Sequence, residues 1–254
     1  MRTRKETTQR HAGRLERVAR ALYSVCVDEE PLANMMQVLF ATNWRATPAT
    51  SNDVAGGAGS RRISATHADY ASWKPAVTLL NQTAQDYALA TGLVLDGSPD
   101  ALFANKQVPS DRGWRFHADG EAHGYEVVTA VLTLRSSDCR GGAIQFSNLA
   151  DGSVHQKEYG ERVWLDHVIS FSPKHASVYV FPGSLVQHRP TNIEQGTRFS
   201  LVAFYRVRSD YIKFLSVWAG KEHHCPDCER FYASKRSLQK HKSADCPARK
   251  RQKK

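Results

Sequence analysis

From about residue 100 to 207 the chain is built from short β-branched and aromatic runs. These are YEVVTAVLTL, GAIQFS, ASVYVF and RFSLVAFYRV, set apart by the turn-forming stretches SSDCRGG, DGS and PTNIEQG. About 100 residues of this texture are too many for one hairpin, so the strands must bury their apolar faces against one another as a sandwich or barrel. The remaining residues of the 254 are therefore accessory to a β core.

The segment before the core has a different period. Leu15, Val18, Ala19, Leu22 and Tyr23, then Leu32, Met35, Met36, Leu39 and Phe40, recur at helical spacing, which predicts helices across 1–45. The small, Gly-rich stretch 46–66 reads as a loop. Residues 70–92, with Trp73, Val77, Leu79, Leu80 and Tyr87, read as another helix. The expected organisation is a helical support region at 1–99, a β core at 100–208, a linker at 209–222, a Cys/His module at 223–248 and a basic tail at 249–254. The expected class is α+β.

No apolar run reaches the ~18 residues of a membrane span. The basic first residues lack the apolar stretch and small-residue cleavage site of a secretory signal. No membrane association and no secretion are expected. Lys and Arg outnumber Asp and Glu by 35 to 25, a net charge of +10 that attracts polyanions such as nucleic acid. Three of the five cysteines fall in the last 30 residues, which suits a metal site in a reducing compartment and not a disulfide framework.

Within the β segment, His117-Ala118-Asp119 precedes one strand, His188 follows another, and Arg198 and Ser200 open the last. Two imidazoles and one carboxylate can hold one face of an octahedral ion, leaving three positions for a bidentate acid and dioxygen. His and Asp two apart on extended backbone point to one side and can share the ion. Arg198 offers a planar fork to a carboxylate, and the Ser200 hydroxyl can share that anion. His-x-Asp alone is uninformative, since composition yields roughly 0.6 copies by chance. A second copy, His67-Ala68-Asp69, precedes a helical stretch with no Gly-Gly strand after it and is read as a decoy. His123, His155, His167 and His175 lack any such context. Trp114, Phe116, Phe146, Tyr179 and Phe181 are expected to fill the barrel.

Taken together, RFHADGEAHGYEVVTAVLTL, GGAIQF and VYVFPGSLVQHRPTNIEQGTRFSLVAFYRV resemble the double-stranded β-helix core of the Fe(II)/2-oxoglutarate dioxygenases. The pattern shared is His-x-Asp, a Gly-Gly-x-x-x-Phe strand, a distal His and an Arg or Lys about ten residues later. The resemblance implies a jelly-roll (cupin-like) fold. It assigns His117, Asp119 and His188 as iron ligands and Arg198 with Ser200 as the seat of the distal carboxylate of 2-oxoglutarate. It implies oxidative decarboxylation to succinate and CO₂ coupled to C–H hydroxylation, with ascorbate as a further candidate cofactor. Gly141, Gly142 and the His188-to-Arg198 spacing resemble the prolyl-hydroxylase branch. The same spacing is compatible with TET/JBP-like base oxidases, and Asn105-Lys106-Gln107 faintly resembles the AlkB type, which has a Tyr at the position of Gln107.

Near the C-terminus, Cys225-Pro-Asp-Cys228 is followed by twelve residues, His241, four residues and Cys246, a zinc-ligand spacing. With Tyr232 and Leu238 as filler, the segment resembles a ββα Cys-Cys-His-His finger in which Cys246 replaces the last His. Lys235, Arg236, Gln239, Lys240 and Lys242 suit phosphate contacts and base edges. The tail Arg249-Lys250-Arg251-Gln252-Lys253-Lys254 resembles a nuclear import signal, so a nuclear or nucleocytoplasmic location is expected. The finger and the charge place a nucleic-acid base, in DNA or RNA, first as substrate. The alternatives are a protein (prolyl-type) hydroxylase and a catalytically inactive nucleic-acid-binding protein.

Overall fold

The computed structural model describes residues 15–19, 21–41, 61–64, 70–111, 116–119, 125–147 and 168–210, with 213–214, 217, 223–224, 231–232 and 239. In chain order the first elements are β1 (Glu16–Ala19), β2 (Leu22–Cys26), a 3-10 turn (Glu30–Leu32), α1 (Ala33–Ala41), β3 (Arg61–Ser64) and α2 (Tyr70–Thr91). Then follow β4 (Ala101–Gln107), β5 (Val127–Arg135), β6 (Arg140–Gly141), β7 (Ile144–Ser147), β8 (Val168–Phe171) and β9 (Ser177–Phe181). The last are β10 (His188–Pro190), β11 (Ile193–Gln195), β12 (Arg198–Arg206), β13 (His223–His224) and β14 (Phe231–Tyr232). No described helix is long and apolar enough to cross a membrane.

A seven-stranded antiparallel sheet runs β1-β2-β9-β5-β12-β4-β3, and a three-stranded sheet runs β10-β7-β8. The near-continuous apolar run of β5 is explained by burial on both faces. Val128, Ala130, Leu132 and Leu134 pack with Trp73, Leu80, Ala84 and Tyr87 of α2. Val131 joins Phe146, Tyr179, Phe181 and Val202 in a second cluster on the opposite face. The helix thus closes one side of the large sheet, and the other side is left to line the site. Two sheets with a buried interior between them fit the expected jelly-roll core with α2 in the supporting role.

The helical expectation for 1–45 holds only in its second half. Met35 and Leu39 are buried on α1, whereas residues 16–26 form a hairpin, and β2 pairs with β9 from Tyr23↔Val180 to Cys26↔Ser177. The run Leu-Tyr-Ser-Val-Cys is β-prone, and an open sheet edge satisfied its backbone where a lone amphipathic helix would have had no partner. The loop expected over 46–66 also loses residues 61–64 to β3, which borders β4. In the stretch assigned as a linker, Phe214 is fully buried in the main core and Val217 packs against both clusters.

Candidate metal and carboxylate site

The site begins with a backbone pairing between distant segments. His117 N–H donates to the His188 carbonyl at 3.1 Å, and His188 N–H donates back to His117 at 2.8 Å. The ring centroids consequently lie 4.5 Å apart. Asp119 is held next to them by its own N–H, which donates to the Gly183 carbonyl at 2.9 Å. A Cβ on residue 183 would sit 1.9 Å from Thr129 Oγ1 and 2.8 Å from Asp119 Oδ2, so only glycine permits this approach.

Asp119 Oδ1 lies 3.8 Å from His117 Nε2, and Oδ2 lies 3.5 Å from His188 Nε2. All three donor atoms fall within 4.8 Å of one another. His188 Nδ1 is 3.0 Å from the Val186 carbonyl, which can only accept, so Nδ1 carries a proton. Burial lowers the His188 pKa to about 4, with the Asp119 carboxylate opposing and His117 reinforcing the shift. The ring is therefore neutral at physiological pH, and its Nε2 lone pair faces the carboxylate with no proton between them. Two unprotonated donors directed at each other in a buried space are what a cation resolves, and the N,N,O donor set suits a divalent transition metal such as iron.

The other end of the site is cationic. Arg198, 2% exposed, donates through one terminal nitrogen to the Gly142 carbonyl and through the other to Gln107 Oε1. Its Nε has no partner, and among the described residues no carboxylate pairs with it. Burial lowers its pKa to about 10, and the neighbouring Arg135 pushes in the same direction. Arg135 is opposite Arg198 on β5, with its guanidinium on the carbonyls of Pro173, Cys139 and Gly141. A buried cation without a counter-charge is costly unless an anion completes it.

Strand register places more unsatisfied groups there. Ser200 stands between Asn105 on β4 and Thr133 on β5. Asn105 Oδ1, Thr133 Oγ1 and Arg198 Nε are three of the four buried side-chain atoms without a hydrogen-bond partner among the described residues. Thr129, beside the Asp119 carboxylate, lies four residues along β5 from Thr133, about 13 Å of strand. The intervening row, Val131, Val202 and Tyr179, is apolar apart from the tyrosine hydroxyl. A linear acid with a metal-chelating head and a distal carboxylate matches this strip, and 2-oxoglutarate is such an acid.

The structure therefore brings His117, Asp119, His188, Arg198 and Ser200 onto one interior surface. It also explains Gly142. That residue has φ +71°, and a Cβ there would lie 2.3 Å from Ile193 Cδ1, so a side chain would dislodge the carbonyl that receives Arg198. Phe146, Tyr179 and Phe181 fill the interior as expected. His175 has a structural role, its Nδ1 accepting from the Arg135 N–H at 2.8 Å. Thr129, Thr133, Gly183 and Arg135 were not foreseen. Gln107 was noted only for lacking the tyrosine of a distant resemblance, and its contact with Arg198 depends on a register that spacing cannot supply.

The decoy pair His67 and Asp69 lies outside the described residues, as do Cys225, Cys228, His241 and Cys246. The short hairpin of β13 and β14, His223↔Tyr232 and His224↔Phe231, brackets the first two of those cysteines in sequence.

No protein-family model matches this chain, and no curated protein matches its sequence. Solved structures do match its fold. A prolyl-4-hydroxylase from Pseudomonas putida superposes with a TM-score of 0.54 at 16% identity, covering 75% of this chain and 94% of that one. A prolyl hydroxylase from Trichoplax adhaerens, solved with a hypoxia inducible factor peptide fragment, gives 0.53 at 11% identity, covering 74% and 84%. A non-haem α-ketoglutarate-dependent carbocyclase of nogalamycin biosynthesis gives 0.52 at 13% identity, covering 74% and 80%. At these identities the likeness is one of fold, and the chain shares the fold of 2-oxoglutarate/Fe(II) oxygenases.

Proposed function

We propose that this chain is an Fe(II)- and 2-oxoglutarate-dependent dioxygenase that hydroxylates a C–H bond of a protein side chain. The observation that carries the reading is the pairing, on one interior face, of the His117–Asp119–His188 donor set with the buried Arg198 cation, whose Nε has no hydrogen-bond partner among the described residues. His117, Asp119 and His188 would hold the iron, and Arg198 with Ser200 would anchor the distal carboxylate of 2-oxoglutarate. Bound iron supplies the oxidising chemistry, coupling cosubstrate decarboxylation to dioxygen activation. The chain orients the acid along its strip, keeps His188 neutral and excludes water with the Phe146, Tyr179 and Phe181 wall. Ascorbate would serve to maintain Fe(II).

The protein substrate is placed ahead because two of the structures sharing the fold are prolyl hydroxylases, one of them holding a peptide. The second reading, a nucleic-acid base, rests on the net charge of +10 and the Cys225, Cys228, His241, Cys246 spacing, which would bind zinc. In that reading the finger delivers the core to DNA or RNA, and the basic tail directs it to the nucleus.

The test is incubation with Fe(II), 2-oxoglutarate and either a proline-rich peptide or methylated DNA, scored by succinate release and by mass gain of one oxygen. Oxygen on the peptide supports the first reading. Oxygen on the DNA, with affinity lost on truncation after Ala219, supports the second. Absence of succinate in every arm refutes both and leaves an inactive binding protein.

A further inference from the structure

We infer that Thr129 is a positioning residue that keeps Asp119 a one-oxygen ligand, and thereby reserves a coordination position for dioxygen. This inference rests on the proposed function and assigns a role to a side chain outside the ligand set. Thr129 is 1% exposed, and its hydroxyl donates to Asp119 Oδ2 at 2.6 Å. Such a short bond from a neutral donor to a buried carboxylate is charge-assisted, and it restrains rotation of the carboxylate as well as withdrawing charge from one oxygen. The Asp119 main chain is fixed at the same time by Gly183, whose missing side chain leaves the room the Thr129 hydroxyl occupies. Thr129 and Gly183 thus determine how the carboxylate presents itself to His117 and His188.

The consequence follows from counting positions. Two imidazoles and one carboxylate oxygen use three of six places, and a chelating 2-oxo acid takes two more, leaving one. If Asp119 bound through both oxygens, the acid would fill the last places and dioxygen would have none. Loss of the Thr129 hydroxyl frees the carboxylate to turn and chelate, so the lesion falls on the sixth position and not on iron or cosubstrate binding.

The experiment compares wild type, Thr129→Val and Thr129→Ser without oxygen. Fe(II) binding is followed by calorimetry, the Fe(II)–2-oxoglutarate chelate by its visible charge-transfer absorption, and the open position by titration with nitric oxide. Thr129→Val is expected to bind iron and 2-oxoglutarate as wild type does, and to lose nitric oxide affinity by about tenfold or more. Thr129→Ser restores it, because the hydroxyl is retained. Wild-type nitric oxide affinity in Thr129→Val overturns the inference. So does a parallel loss of iron, cosubstrate and nitric oxide, which marks a purely structural threonine. Should Thr129→Val fail to fold by circular dichroism, Thr129→Ala, which removes the hydroxyl and adds no atom, is judged by the same outcomes. A wild-type protein that binds iron but forms no chelate with 2-oxoglutarate refutes the proposed function itself, a result distinct from any of these.

Discussion

Replacing Arg198 with methionine preserves length and apolar volume but removes the one charge that the proposed cosubstrate pairs with. The guanidinium is fully enclosed, its two terminal nitrogens rest on neutral acceptors, and its Nε has no partner among the described residues. A carboxylate bound here would form a desolvated ion pair, and removing one member of such a pair costs roughly 3–5 kcal/mol. That corresponds to about two to four orders of magnitude in 2-oxoglutarate affinity. The ligand-free protein should respond differently. It is relieved of a buried cation that no carboxylate among the described residues pairs, while Gln107 and the Gly142 carbonyl lose a donor, so its denaturation midpoint should move little. Calorimetric titration of 2-oxoglutarate into the Mn(II)-loaded protein measures the first effect, and urea denaturation of the metal-free protein the second. Arg198→Lys keeps the charge but not the fork, so its affinity should fall between wild type and Arg198→Met. Wild-type affinity should be flat from neutral to mildly alkaline pH, because a guanidinium keeps its charge throughout. An Arg198→Met affinity within about threefold of wild type refutes the assignment of this end of the site.

Three further outcomes are expected. His117→Ala or Asp119→Ala should abolish iron-dependent succinate formation, whereas His67→Ala and Asp69→Ala should leave it intact; the reverse pattern in the same assay overturns the ligand assignment. Gly142→Ala should destabilise the fold by roughly 1–3 kcal/mol, because an L-residue is strained at φ +71°, and it should also weaken 2-oxoglutarate binding through Arg198, as read by denaturation and calorimetry together. The His188 pKa is depressed in the folded state to about 4, against 6.5 for the free side chain. Between these values the unfolded chain binds the proton and the native chain does not. Stability of the metal-free protein therefore falls as pH drops from about 6.5 to about 4, by up to roughly 3 kcal/mol from this group. His188→Gln should flatten that dependence in urea titrations across the window.

What could be read in advance divides along physical lines. The β core was legible because its strands are short β-branched and aromatic runs set between turns rich in Gly, Asn, Asp and Pro, both local requirements. The candidate donors could be singled out because metal and carboxylate chemistry admit few residue types. Helix α2 was legible from Trp73, Val77, Leu79, Leu80 and Tyr87, of which all but Leu79 are buried. The segment 16–26 was misjudged because Leu22 and Val25 satisfy a helix and a strand alike over so short a window, and the vacant edge beside β9 decided between them. The same holds inside the site. Nothing local to Thr129, Gly183 or Gln107 distinguishes them from other threonines, glycines and glutamines. Thr129 meets Asp119 because β5 runs beneath the Gly183 turn, and Gln107 meets Arg198 because β4 and β12 pair in one register. Residue chemistry determined which groups could bind a metal and an acid, and antiparallel register, a non-local property, decided which neighbours would hold them in place.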